Sequence, residues 1–276
     1  GAVRAPSSKS QAHRLLICAA LGNKKVSVDC GEISKDISAT AKCLDSLCAE
    51  ADGTAVLYCG ESGSTLRFLI PVCGALGKEA VFKMEGRLPE RPLAPFDELL
   101  CEHGMSIEKK GSELFVSGEL NSGVFEIAGD VSSQFISGLL FALPLLDGDS
   151  EICITGKTES KAYITMTENA ISAAGIRFEK RENGYTVFGN QEYNLPEGTA
   201  AEGDYSNGAF FLCMGALSEG GVRVVNLPEA SLQGDKKIVE ILRRFGAEIS
   251  VGWKDITVSD ASDERSGSGC TISFKE

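Results

Sequence analysis

Val239-Glu240-Ile241-Leu242-Arg243-Arg244-Phe245-Gly246-Ala247-Glu248-Ile249-Ser250 reads as an amphipathic helix that stops at a glycine and hands over to a strand. Glycine just past the last periodic residue is a helix-stop signal. The same device occurs twice earlier. Asp97-Glu98-Leu99-Leu100 runs to Gly104 and then Met105-Ser106-Ile107, and Ala170-Ile171-Ser172 runs to Gly175 and then Ile176-Arg177-Phe178. Each strand then turns back, at Lys110-Gly111, Asn183-Gly184 and Gly252-Trp253. Asn-Gly is among the strongest hairpin signals. The three glycines are 71 residues apart, and a fixed period marks a repeated supersecondary unit.

A second device interleaves with the first. Four small, polar turns each open an apolar helix. They are Ser7-Ser8-Lys9-Ser10, Glu61-Ser62-Gly63-Ser64, Asp130-Val131-Ser132-Ser133-Gln134 and Glu202-Gly203-Asp204-Tyr205-Ser206. The helices end near Gly22, Gly77, Gly148 and Gly220, and strand-like runs such as Val222-Arg223-Val224-Val225 follow. Backbone N–H groups at a helix start lack intrahelical partners and sit at the positive end of the dipole, so such turns suit a phosphate or carboxylate. Lys9, Ser10 and Arg14 add side-chain donors to the first. Together the two devices give a βαβαββ unit and an α/β (α+β) fold class. Three units are expected from Gly1 to about Leu195, the first one shorter, and a fourth from about Gly198 to Glu276. The stretch Tyr193-Asn194-Leu195-Pro196-Glu197-Gly198-Thr199 reads as the domain boundary, giving domains 1–198 and 199–276. Ser259 to Gly269 reads as a polar loop, with a strand at Cys270-Thr271-Ile272-Ser273-Phe274.

Composition narrows the function. A net charge of −12 argues against nonspecific binding to nucleic acid or anionic membrane. No apolar run approaches the roughly 20 residues that span a bilayer, and no signal peptide is visible at the start. Ten cysteines with no Cys-x-x-Cys pair, and only two histidines, do not suggest a zinc site. Cys18, Cys43, Cys48, Cys73, Cys101 and Cys213 lie in apolar helix-like settings, so reduced and mostly buried thiols in a cytoplasmic protein are expected. Lys9, Arg14, Arg67, Arg91 and Lys161 sit in or near the polar turns, so a local positive cleft can exist on this acidic chain.

Seven elements occur in order: Lys9-Ser10-x-x-x-Arg14, Gly63-Ser64-Thr65-x-Arg67, Arg87-x-x-Glu90-Arg91-Pro92, Ser132-Ser133-Gln134, Ser160-Lys161-x-Tyr163, Glu202-Gly203-Asp204-x-Ser206 and Gln233-Gly234-Asp235. Together they resemble the 5-enolpyruvylshikimate-3-phosphate synthase (3-phosphoshikimate 1-carboxyvinyltransferase) family over essentially the whole chain. The resemblance implies two domains of three βαβαββ units, each set around a pseudo-threefold axis. It implies transfer of the enolpyruvyl group of phosphoenolpyruvate to the 5-hydroxyl of shikimate 3-phosphate, with release of phosphate. No metal or organic cofactor is implied, the partners are the two small-molecule substrates, and a monomer is expected. The family's catalytic Glu and adjoining Lys, with further Arg and Lys clamps, fall beyond Glu276, so the chain is expected to be partial and inactive by itself.

Position by position, the resemblance implies that Lys9 touches both substrates and that Ser10 and Arg14 contact shikimate 3-phosphate. Ser132, Ser133 and Ser160 correspond to the serines that hold the 3-phosphate. Gln134 corresponds to a contact shared by both substrates. Gly63 and Arg91 correspond to phosphoenolpyruvate contacts, and Gly63 also limits room for glyphosate. Asp235 corresponds to the catalytic aspartate beside the 5-hydroxyl, a contact to shikimate 3-phosphate and a candidate general base. Glu61 departs from the family's frequent Asn.

Plainer readings stand beside these. Lys9-Ser10, Ser132-Ser133, Asp204 and Asp235 can each simply cap a helix. Arg87 and Arg91 flank prolines in what can be a solvated turn. Arg67 can pair with Glu61 as a structural ion pair, and His13 and His103 read as structural. Two other functions remain open. One is a fragment that captures shikimate 3-phosphate without turnover. The other is a related UDP-N-acetylglucosamine enolpyruvyl transferase, although Lys9-Ser10 stands where that family has Lys-Asn and no cysteine occupies a basic loop.

Overall fold

The computed structural model describes residues 1–24, 26–49, 53–218 and 220–259. The tail from Asp260 and the strand expected at Cys270–Phe274 lie outside the described residues. The chain divides into two compact units, one of Lys9–Ala201 and the other of Gly1–Ser8 with Glu202–Glu276.

After the short strand β1 (Ala2–Arg4), the larger unit opens with helices α1 (Lys9–Ala20) and α2 (Lys35–Leu47). Two βαβαββ repeats follow. The first comprises β2 (Ala55–Gly60), α3 (Gly63–Ala75), β3 (Ala80–Met84), α4 (Phe96–Glu102), β4 (Met105–Lys110) and β5 (Glu113–Gly118). The second comprises β6 (Val124–Ala128), α5 (Ser133–Ala142), β7 (Ser150–Thr155), α6 (Lys161–Ala173), β8 (Phe178–Arg181) and β9 (Gly184–Val187). Their sheets share one order, β2-β3-β5-β4 and β6-β7-β9-β8, with the first pair parallel and a hairpin at the edge.

The smaller unit adds α7 (Tyr205–Ala216), β10 (Val222–Val225), α8 (Ile238–Arg244), β11 (Glu248–Val251) and β12 (Asp255–Ser259). Its sheet has the same order, β1-β10-β12-β11. Gly104, Gly175 and Gly246 have φ of +99°, +84° and +87°, a backbone region open to glycine without steric cost, which is why the period is written in that residue.

Two expectations need correction. The fourth repeat does not draw its first strand from residues after Gly198. That place is taken by β1, paired in parallel with β10 through Val3 and Val224. Ala5 N–H donates to Val225 (3.0 Å), Ser8 N–H to Glu202 (2.7 Å), and Asp204 N–H to Pro6 (2.7 Å). These bonds, with Ala5 in the core beside Tyr205 and Leu227, move the first eight residues out of the 1–198 domain. The short first repeat is the second correction. Among the described residues, 9–49 supply α1, α2 and two isolated bridges, Gly22 with Tyr193 and Asp29 with Ala200, but no sheet of their own.

Helices α3 and α5 are apolar nearly all round and are accordingly buried on almost every face. They pack on each other at Gly138, where an added Cβ would lie 2.7 Å from the Arg67 carbonyl oxygen. Pro71 has no N–H to return to that carbonyl, so the oxygen is left facing α5. Phe68 meets Phe141 edge-on (5.5 Å between centroids), and Phe96 stacks on Phe135 (4.5 Å). Helix α7 is also apolar, but its Phe210 and Met214, and Leu217 just past its end, are 73, 57 and 84 % exposed. No described helix is long and apolar enough to cross a membrane.

Candidate functional site

Four helices of the larger unit start around one cavity of about 430 Å³. Lys9, Ser10 and Arg14 come from α1 and Ser64 and Phe68 from α3. Val131, Ser132, Ser133 and Gln134 come from the start of α5, and Ser160 and Tyr163 from the start of α6. The packing of α3 on α5, α5 on α6 and α6 on α1 brings these ends together. Ser132 caps α5, its hydroxyl accepting from Gln134 N–H at 3.2 Å. The Ser133 hydroxyl is not part of that cap. Ser160 precedes α6 with φ +53°, an uncommon conformation for a residue with a side chain, and makes no capping bond.

Arg14 forms the charged wall of the cavity. It is 3 % exposed, yet it bonds no carboxylate among the described residues. Its Nε donates to Thr167 Oγ1 (2.8 Å), Nη1 to the Ser10 carbonyl (2.6 Å) and Nη2 to the Tyr163 carbonyl (2.9 Å). Its guanidinium also lies 5.1 Å from the Phe68 ring centre. Burial disfavours the charge and lowers the pKa to about 10. Three of five N–H donors are used, so the cation can still donate to an anion. Lys9 Nζ, by contrast, sits 2.9 Å from Asp36 on α2, a partner the sequence reading did not name.

A second cationic spot adjoins the first. An added Cβ on Gly63 would meet Arg67 Nη1 at 2.7 Å and Arg91 Nη1 at 3.1 Å. Arg67 does not pair with Glu61, as one reading had it. Its Nη1 donates to Gln134 Oε1 (2.9 Å) and its Nη2 to the Pro92 carbonyl (3.3 Å). Burial, and then the Arg91 charge, lower its pKa. The Glu61 carboxylate lies instead against Gly86. The sequence places Arg67 among the cations near the polar turns and Ser64 in the Gly63 turn, but neither was assigned a binding role there. The available signal was a lone cation four residues after Gly63 in an otherwise apolar helix.

Behind the cavity a buried chain of hydrogen bonds joins three helices. His13 Nδ1 is 2.6 Å from Thr40 Oγ1, Thr40 Oγ1 is 2.6 Å from Thr65 Oγ1, and Thr65 Oγ1 is 2.6 Å from Ser62 Oγ. Ser62 in turn caps α3. His13 is thus buried and tied into this chain of bonds.

Asp235 lies in the smaller unit, where its carboxylate accepts from Ser206 Oγ. It is in a short 3-10 turn and caps no helix, whereas Asp204 caps α7 through Ser206 and Asn207 N–H. Among the described residues no group of three His, Cys, Asp or Glu side chains is placed to hold a metal ion.

The family model for EPSP synthase (3-phosphoshikimate 1-carboxyvinyltransferase) matches residues 1–54 and 49–273. The chain belongs to this family. The EPSP synthase family member described here is 40 % identical over 268 residues to 3-phosphoshikimate 1-carboxyvinyltransferase of Clostridium kluyveri, covering 90 % of this chain and 62 % of that protein. It is 39 % identical over 280 residues to the Clostridioides difficile protein of the same name, covering 90 and 63 %. The chain therefore spans under two thirds of the length of these curated relatives. The fold matches EPSP synthase of Acinetobacter baumannii with a TM-score of 0.79 at 20 % identity, over 95 % of this chain and 64 % of that one. It also matches the enolpyruvyl transferase NikO of Streptomyces tendae, with a TM-score of 0.70 at 12 % identity over 95 and 66 %.

Proposed function

We propose that this chain carries the shikimate 3-phosphate site of an enolpyruvyl transfer. In that reaction the 5-hydroxyl oxygen of shikimate 3-phosphate takes the enolpyruvyl group of phosphoenolpyruvate and inorganic phosphate leaves. The observation that carries the reading is Arg14, a buried guanidinium with no carboxylate partner among the described residues, in a cavity ringed by serines at helix starts. Burying an uncompensated cation costs several kcal/mol, and a bound dianion offsets that cost while accepting the N–H and O–H donors around it. Ser132, Ser133 and Ser160 hold the 3-phosphate, Ser10 and Arg14 contact the same substrate, and Lys9 and Gln134 face both substrates. Gly63 and Arg91 receive phosphoenolpyruvate. Asp235 is the candidate base for the 5-hydroxyl.

Calorimetry with shikimate 3-phosphate alone is the first test, with binding expected. An absence of binding would refute the reading. Phosphate release on adding phosphoenolpyruvate then assigns turnover to this chain, whereas binding without release assigns it capture.

A further inference from the structure

Ser64 sits one residue into α3, and the only hydrogen bond of its hydroxyl among the described residues is one that it accepts, from Gln134 Nε2 at 2.9 Å. Its own O–H hydrogen has no partner among the described residues, and the residue lines the cavity. The Gln134 amide cannot turn over. Arg67 has only donors, so the group facing its Nη1 must be the Gln134 oxygen, which leaves the amide nitrogen to donate to Ser64. Arg67 is itself fixed. It is 9 % exposed, held by the Pro92 carbonyl and set 5.6 Å from the Phe135 ring centre.

The result is a one-way chain, Arg67 to Gln134 to Ser64, running from α3 across to α5 and back. It begins on a buried cation and ends on a hydroxyl that lines the cavity and keeps its own hydrogen to donate. A charge at its start polarises each donor along it.

We propose that Ser64 is a substrate-binding residue that donates its O–H to an anionic oxygen of the bound substrate, and that Arg67 is a positioning residue acting on it through Gln134. This rests on the reading of the cavity as a substrate site. Arg67 touches no ligand in this assignment. It fixes which way the amide points, and so which way the hydroxyl points. Lysine at position 67 would keep the charge but lose the planar fork that reaches Gln134 and Pro92 together.

The test is a double-mutant cycle with Ser64→Ala and Arg67→Lys. Shikimate 3-phosphate is titrated calorimetrically, and phosphoenolpyruvate is then titrated into the saturated protein. Ser64→Ala and Arg67→Lys should each weaken one of these titrations about tenfold. The double variant should be little worse than either single, since both remove the same bond. Ser64→Thr, which keeps the hydroxyl, should restore affinity. A merely structural role for Arg67 would lower the melting temperature and give losses that multiply, to about a hundredfold in the double variant, and would overturn the assignment. So would full affinity in Ser64→Ala. Wild-type protein that binds neither substrate would overturn the functional reading and this assignment with it, whereas wild-type binding beside unaffected Ser64→Ala binding overturns this assignment alone.

Discussion

His13 gives the larger unit a pH dependence that can be isolated by one substitution. The imidazole is 1 % exposed and, among the described residues, hydrogen-bonded only to Thr40, with Nε2 buried and unpartnered. Burial first, then the charges of Arg14 and, more weakly, Lys9, lower its pKa from 6.5 to about 4, against a smaller upward pull from Asp36. In the unfolded chain it returns to the ordinary value. The unfolded state therefore binds more protons between these limits, and stability is complete above about pH 6.5 and lost as pH falls toward 4. Integrating over pH 7.5 to 5 gives a loss of about 2 kcal/mol from this residue. His13→Asn keeps a hydrogen-bonding amide close to the Nδ1 position for Thr40 but does not titrate. Urea unfolding followed by circular dichroism at pH 7.5 and 5 measures the difference. Trp253 fluorescence is the wrong probe, because that residue lies in the smaller unit. Wild-type protein should lose about 2 kcal/mol more than the variant on acidification, since the carboxylates contribute equally to both. Equal losses would refute a neutral, buried His13.

Gly138→Ala places a methyl 2.7 Å from the Arg67 carbonyl and 3.2 Å from Pro71 Cγ, groups that cannot turn aside. Helices α3 and α5 should separate at a cost of about 1–3 kcal/mol, read as a lower melting temperature together with weaker shikimate 3-phosphate binding. Gly63→Ala meets the guanidinium ends of Arg67 and Arg91, and should weaken phosphoenolpyruvate more than shikimate 3-phosphate in paired titrations. Thiol labelling followed by peptide mass mapping should modify the exposed Cys48 and Cys101 first and leave the buried Cys18 and Cys73 silent until denaturation. The burial of Cys43 and Cys59, with pKa values pushed up to about 12, should also keep these two slow.

The repeat was legible because its punctuation is local. A helix that ends in a left-handed residue calls for glycine, and Gly104, Gly175 and Gly246 supply it at a constant interval. The serine turns were legible for the same reason, since a cap such as Ser132 is a short-range bond. Long-range pairing leaves no such mark. β1 is three residues long and its partner β10 lies more than 200 residues away, so nothing near Ala2 announces it. The Lys9–Asp36 ion pair and the Arg67–Gln134 bond likewise join separate elements, 27 and 67 residues apart. Cys48 and Cys101 sit in apolar stretches yet are exposed, because each lies at or just past the end of a helix, where packing has stopped.

Phosphorus NMR of shikimate 3-phosphate, titrated with wild-type protein and with Ser133→Ala, tests the central claim most directly. Ser133 is the cleaner choice of the two serines because Ser132 also caps α5. The wild-type protein should shift and broaden the phosphate resonance, unphosphorylated shikimate should not compete, and Ser133→Ala should weaken binding about tenfold or more through loss of a charge-assisted hydrogen bond. A phosphate resonance unmoved by the wild-type protein, or moved equally by Ser133→Ala, would contradict the account.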